Sequence, residues 1–355
     1  MNIIIKTLVF CIVLFIYLHI FFQLKTSNDL EIYEIEQPSK DTLEEICDLR
    51  QPVIFDFNNE RLNETCNLNT VVNSYGAFDV KVRNLNNFDD QSELYIPITL
   101  KATTQLFDKD NEKKYITENN QDFLEETGLI KCYRYNDAFL RPYMVSECEY
   151  DFISATEQIT TPFKYEINYR NYYLITQGSV KVKLAPPKNN KYLYPKNDYE
   201  NFEFSSPVNP WNVQQQYKPD FDKIKCLEIV LKPGSMLFIP SFWWHSFQFS
   251  DKTSLCTFKY RTYMNTLANM PRFIMKFLQS QNVKRNVVKQ FDNSKSNNII
   301  YNSNDNNSND NTEKNLVNKV DINQLASVDN NLDNNVEINQ LTSVDNNPNT
   351  SLISK

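Results

Sequence analysis

The sequence predicts a mainly β domain with flanking helices, built as a sandwich or barrel. Three observations predict it. Short apolar or alternating runs recur between turn residues, as in small closed β architectures. Aromatic residues make up 13% of the 355-residue chain, which suits pleated, half-buried surfaces. The four glycines, Gly76, Gly128, Gly178 and Gly234, are too scattered to form the phosphate-cradling loops of Rossmann or P-loop proteins.

Residues 1–25 open the chain. Thr7 to Phe22 carries no charge and approaches spanning length, so it reads as a membrane helix or a signal-peptide core. No small-x-small cleavage site follows Ile20-Phe21-Phe22-Gln23, which favours an uncleaved signal anchor. A buried core helix is the alternative. Lys6 and the α-amino group precede the run and Lys25 follows it, a balance that places the bulk in a lumen or outside the cell. Outside this run lie Cys47, Cys66, Cys132, Cys148, Cys226 and Cys256. An even number permits disulfides, with Cys47/Cys66 and Cys132/Cys148 as local pairs, and buried thiols are the other reading. Asn63-Glu64-Thr65 is a glycosylation sequon if the bulk is lumenal.

Residues 26–290 form the globular part. A helix is expected over Thr42–Leu49, followed by a strand in Gln51–Phe57 and another in Ala77–Val82. Tyr172–Leu184 reads as two strands joined at Gln177-Gly178. Cys226–Leu231 and Ser235–Ile239 are split by Lys232-Pro233-Gly234, and Thr253–Tyr260 is the last strand. Met264–Ser280 reads as an amphipathic helix that Pro271 kinks or restarts. Its stripe of Met264, Leu267, Met270, Ile274 and Phe277 suits core packing or a homodimer face. Residues 291–355 are rich in Asn, Asp and Ser and hold an imperfect 16-residue repeat starting at Val320 and Val336. Such a polar tract buries too little apolar surface to offset chain entropy and reads as disordered. The net charge of -7 gives no footprint for nucleic acid.

The most specific stretch is Lys232–Phe249, KPGSMLFIPSFWWHSFQF. It resembles the segment that supplies the distal metal-binding histidine in JmjC and cupin-like Fe(II)/2-oxoglutarate oxygenases. Thr161–Pro187 (TPFKYEINYRNYYLITQGSVKVKLAPP) resembles their Thr-Pro-x-His-x-Asp segment and the strands after it. Gln51–Val82, with Tyr75-Gly76, resembles the N-terminal Pro-Val-Ile strand and the turn that follows. Together these cover most of residues 40–265 in family order, closest in flavour to the asparaginyl-hydroxylase branch. The resemblance implies a double-stranded β-helix, a jelly-roll of the cupin type. It places His245 at the distal histidine, Glu166 at the carboxylate ligand and Thr161 at a threonine that touches 2-oxoglutarate. Lys164 stands where the first histidine belongs. The family's cosubstrate lysine falls at Val180, and Lys181 should face the other side of its strand.

Fe(II) in this family sits on two histidines and one carboxylate. The chain has two histidines, and His19 lies in the N-terminal apolar run. A protonated lysine offers no lone pair. Lys164 and Glu166, two apart on an expected strand, share a face, so their ion pair can replace the missing cation. The expectation is a metal-free pocket with no cofactor in a non-catalytic pseudo-oxygenase that binds a protein or glycan partner. If the chain is an active hydroxylase, Fe(II) and 2-oxoglutarate are its cofactors, with Asp151 or Tyr169 as an added ligand. A structural surface protein is the third reading. Trp243 and Trp244 are expected in the core.

Overall fold

A computed structural model describes residues 3–85, 94–250 and 252–282. The expected disordered tail, 291–355, lies outside the described residues. The strands are β1 (Tyr33–Ile35), β2 (Val53–Asp56), β3 (Asp79–Asn84), β4 (Ile96–Thr99), β5 (Tyr115–Thr117), β6 (Val145–Ala155), β7 (Arg170–Gln177), β8 (Val180–Ala185), β9 (Lys196–Asp198), β10 (Glu203–Ser205), β11 (Leu227–Leu231), β12 (Ser235–Ile239), β13 (Trp244–Phe249) and β14 (Thr253–Thr262). The helices are α1 (Ile3–Leu24), α2 (Lys40–Asp48), α3 (Glu60–Thr65), α4 (Leu68–Tyr75), α5 (Leu100–Lys109), α6 (Gln121–Glu126), α7 (Ile130–Asn136), α8 (Lys218–Phe221), α9 (Tyr263–Ala268) and α10 (Met270–Asn282).

A nine-stranded sheet runs β1-β2-β12-β7-β14-β6-β5-β3-β4 and faces a three-stranded sheet, β11-β8-β13; β9 and β10 form a separate ribbon. From β7 onward the chain passes back and forth between the two large layers: β7 lies in the nine-stranded sheet, β8 and β11 in the smaller, then β12, β13 and β14 alternate. This is the jelly-roll arrangement of a cupin-like domain. β7 and β8 are therefore not a hairpin. They meet at a corner where Gly178 takes φ +75, and a Cβ there would lie 2.4 Å from Thr253 Oγ1 and 3.0 Å from the Lys252 carbonyl. Only glycine turns this corner without strain.

Period-two alternation builds two cores. On β7, Tyr173 and Ile175 point between the sheets, while Tyr172 and Leu174 point to the helical side. On β12, Leu237 and Ile239 face inward and Met236 and Phe238 face the helices. From the small sheet Val180, Val182, Leu184, Phe247 and Phe249 complete the inner core. α2, capped by Ser39 accepting from the Thr42 amide at 3.2 Å, buries Leu43 and Cys47 in the outer core. Trp243 belongs to the inter-sheet core, and Trp244 packs with Phe163, Ala185 and Val208 under the loops.

The continuous C-terminal helix and the local disulfides are corrected. The helix over Met264–Ser280 is two helices broken at Asn269, whose side chain donates to the Asn265 carbonyl at 3.0 Å. Pro271, the second residue of α10, marks the restart rather than a kink, and its missing N–H costs nothing in a first turn. On α10 the stripe faces outward, with Met270, Ile274 and Phe277 exposed. The cysteines of the described residues are free thiols rather than Cys47/Cys66 and Cys132/Cys148 disulfides. Cys47 faces the Tyr172 hydroxyl at 3.7 Å, and burial pushes its thiol up to about 11. Cys66 instead neighbours Cys132 and Cys256.

α1 is long and apolar enough to cross a membrane. Most of its length is exposed, but its last turn touches the domain. The Arg50 guanidinium lies over the Phe22 ring at 5.2 Å and over the Tyr169 ring at 4.6 Å. Asn28 accepts from the Lys188 amide at 2.9 Å, so the chain stays on the domain after the helix ends.

Candidate functional site

The Thr161–Glu166 segment runs antiparallel beside β13. The Lys164 amide donates to the His245 carbonyl at 2.9 Å and the His245 amide donates back at 2.8 Å. The Phe242 amide donates to Glu166 at 2.8 Å. Lys164 and His245 are therefore cross-strand partners, and Glu166 lies one step along the same edge. The three residues matched to the metal positions come together: Lys164 and Glu166 line a cleft of about 260 Å³, and His245, across from Lys164, is fully buried.

What they touch differs from the expected ion pair. Lys164 Nζ donates to Glu118 Oε2 at 3.1 Å, not to Glu166. Glu118 also accepts from Arg83 Nη1 at 2.9 Å, and Arg83 reaches Glu203 at 3.0 Å. Glu166 Oε1 instead accepts from Lys259 Nζ of β14 at 2.8 Å. The reason is local. Segment 161–169 is a single bridge rather than a continuous strand, so the two side chains are free to reach different partners.

Electrostatics follow the geometry. Burial alone would push the Glu118 carboxyl up, but the Lys164 and Arg83 charges outweigh it and hold it well below the usual carboxylate range. Burial likewise opposes Glu166, and Lys259 with Lys164 keeps it low. Both lysines are shifted upward against burial, Lys164 chiefly by Glu118 and Lys259 chiefly by Glu166. All four groups are charged at neutral pH. His245 is fully buried, and burial together with the Lys164 charge lowers it to about 3. It is a neutral imidazole. Its Nδ1 lies 3.4 Å from the Trp243 carbonyl and its Nε2 3.3 Å from the Tyr173 hydroxyl. With Nδ1 as donor, Nε2 accepts from Tyr173.

The remaining candidates are placed as follows. Thr161 lines the cleft, but its hydroxyl accepts the Phe247 amide at 2.9 Å. Val180 is buried in the inter-sheet core, and Lys181 is on the outward face of β8. Asp151 takes the Asn119 and Asn120 amides, each at 2.7 Å, and burial raises it to about 6. Tyr169 points away from the cleft and donates to Asp48 at 2.9 Å.

A family model described as a cupin-like domain matches residues 40–266. The chain belongs to the cupin-like domain family. Among curated proteins it is similar to HSPB1-associated protein 1 of Rattus norvegicus and of Homo sapiens, each 31% identical over 86 residues, which is 24% of this chain and 18% of the relative. The HSPB1-associated protein 1 homolog of Danio rerio is 28% identical over 102 residues, 28% of this chain and 23% of that protein. The aligned stretches thus span less than a quarter of these relatives.

Within this cupin-like domain, the donor set does not fit an Fe(II) ion. Lys164 brings an ammonium to the site, Glu166 is engaged by Lys259, and the Nε2 lone pair of His245 faces a tyrosine hydroxyl. Two cations stand where the family's oxygenases have one metal. Sequence reading missed Lys259, Glu118, Arg83 and Tyr173. Lys259 had a usable signal: with Leu255 and Thr257 it alternates against Cys256, Phe258 and Tyr260, which places a lysine on an inward-facing row. Glu118 sits in a loop after β5 and had none.

Proposed function

We propose that the chain is a membrane-anchored, non-catalytic cupin-like binding module, a pseudo-oxygenase whose pocket has exchanged its metal for fixed ion pairs. The contact that carries this reading is Lys259 Nζ on Glu166 Oε1 at 2.8 Å, because it gives the carboxylate ligand a resident cation. The cleft suits a polar partner. Five cations (Arg83, Lys164, Lys259, Arg261, Lys276) balance five carboxylates (Glu118, Glu147, Glu149, Glu166, Glu203), and Phe202 and Phe273 stack at 5.1 Å beside them. A dicarboxylate such as 2-oxoglutarate needs uncommitted positive charge, whereas a protein segment or glycan can exchange hydrogen bonds with both signs. The name HSPB1-associated protein 1 describes that relative as a partner-binding protein, which agrees with a binding role here. We place the domain on the lumenal or extracellular side of its membrane, from the Lys6 and Lys25 balance.

The test is iron and 2-oxoglutarate binding by the full chain in detergent, beside Lys164→His and Lys164→His/Lys259→Ala. Parent and single variant should bind neither, because Lys259 still occupies Glu166. The double variant should take up iron. Stoichiometric iron in the parent would overturn the reading and restore the hydroxylase alternative.

A further inference from the structure

α1 meets the domain without a stalk. Its 22 residues measure about 33 Å at ~1.5 Å per residue, against a hydrocarbon layer of about 30 Å. Little of the helix is left over once it spans. Yet Leu18, His19, Phe22 and Gln23 already line a cleft against the domain, across from Tyr143, Met144 and Met264. Whatever flanks Leu18 to Gln23 must therefore lie at the level where the helix leaves the lipid.

Glu44 and Asp48 also line that cleft and Lys40 lies over the Tyr143 ring at 5.7 Å, but the most outward side chains there are apolar and aromatic. Tyr143 is 74% exposed, Met144 70% and Tyr263 60%. The Tyr263 amide donates to the Met144 carbonyl at 3.3 Å, so the loop and the start of α9 form one patch. Met144 holds φ 54, a left-handed conformation that a methionine adopts only under constraint, so its side chain is presented to solvent by a fixed turn. Large exposed apolar patches mark interaction surfaces, and tyrosines concentrate at the membrane interface because one end is apolar and the other wet. α10 extends the surface. Its Arg272 shares a cleft with Leu24 and Thr26 just past the end of α1, and Ile274, Phe277 and Leu278 are exposed beyond it.

We propose that the domain docks directly on the bilayer that α1 crosses, through the patch of Tyr143, Met144 and Tyr263, with the outer face of α10 continuing the contact. The occupant is the lipid surface. This inference rests on the membrane reading of α1.

The test uses the full chain reconstituted in phosphatidylcholine vesicles, with photoreactive p-benzoylphenylalanine placed singly at Phe10, Tyr143, Tyr263, Phe277 or Val230. Phe10 reports mid-helix α1, and Val230 is an exposed position on β11, far along the fold. Lipid adducts at Phe10, Tyr143 and Tyr263, several-fold above Val230, are expected. Lipid adducts at Phe10 but only background at Tyr143 and Tyr263 would overturn the docking while leaving the anchor intact. Crosslinked dimers at Tyr143, Tyr263 or Phe277 in place of lipid adducts would overturn it in favour of a second copy on this face. No lipid adduct at Phe10 would remove the anchor itself and the docking with it.

Discussion

Lys259 and Glu166 meet at 2.8 Å in the cupin-like cleft, one on β14 and one on the segment beside β13, and each side chain is about one-fifth exposed. Removing one partner strands a charge. Lys259→Met should destabilise the full chain by about 2–4 kcal/mol, toward the lower part of the range for broken buried pairs. Glu166→Gln/Lys259→Met should recover most of the loss. Denaturant unfolding of the four species as a double-mutant cycle measures the coupling; purely additive losses would show that the pair is not coupled.

Acid response should be governed by two buried groups of opposite sign. Burial lowers His245 from 6.5 to about 3, so the unfolded chain binds a proton that the folded chain refuses, and stability falls as pH drops through that window. Burial raises Asp151 from 3.8 to about 6, so the folded chain binds the extra proton and stability rises as pH drops from 6 toward 3.8. The two offset each other between those values. Asp151→Asn removes the offset, and its stability should fall more steeply than the parent's, by up to about 1.4 kcal/mol per pH unit. Unfolding midpoints from pH 6 to pH 4 compare the slopes; parallel slopes would contradict the assignment.

Glu118 joins them in the acid part of that window and below it. Its carboxyl is held low by Lys164 and Arg83, so its stabilising contribution is complete above its ordinary value of 4.5 and is lost on further acidification. Glu118→Gln should therefore weaken the chain at neutral pH and narrow the gap to the parent as acid is added. A gap that stays constant with pH would show that Glu118 acts through packing alone.

Arg50 is buried, and its three guanidinium nitrogens have no hydrogen-bond partner among the described residues. It lies against the rings of Phe22 and Tyr169. Met offers similar bulk without buried donors, so Arg50→Met should be neutral or stabilising by up to about 1–2 kcal/mol. A loss in thermal midpoint would show that the cation–π stack outweighs the cost of burying the charge.

At the corner between β7 and β8, Gly178→Ala should cost about 1–3 kcal/mol, the range for a strained left-handed residue, because the backbone carbonyl of Lys252 at 3.0 Å cannot rotate away. An unchanged unfolding midpoint would mean that the corner yields.

Much of the fold was legible in the sequence because its strands announce themselves locally. Val53–Asp56, Val180–Ala185 and Ser235–Ile239 are compact β-branched or apolar runs between turns. β6 was not legible: VSECEYDFISA begins with acidic and polar residues that pair with Arg261 and Lys259 across the sheet, so its pattern makes sense only beside β14. At the site, His245, Glu166 and Lys164 could be matched by motif and do converge. Their partners could not be matched, because Glu118 and Lys259 arrive from distant parts of the chain. The expected Lys164–Glu166 pair was a local inference, and long-range contacts replaced it.

The central position of β14 has a consequence for biogenesis. It pairs with β6 on one side and β7 on the other, across separations of roughly 80 to 120 residues in sequence, and contacts of that range make folding slow. As the polypeptide emerges from the ribosome, β14 is the last strand of the nine-stranded sheet to be made. Until residue 262 is synthesised, β6 and β7 each carry an unzipped edge, a template for wrong pairing. The nascent domain must wait for the strand that closes it.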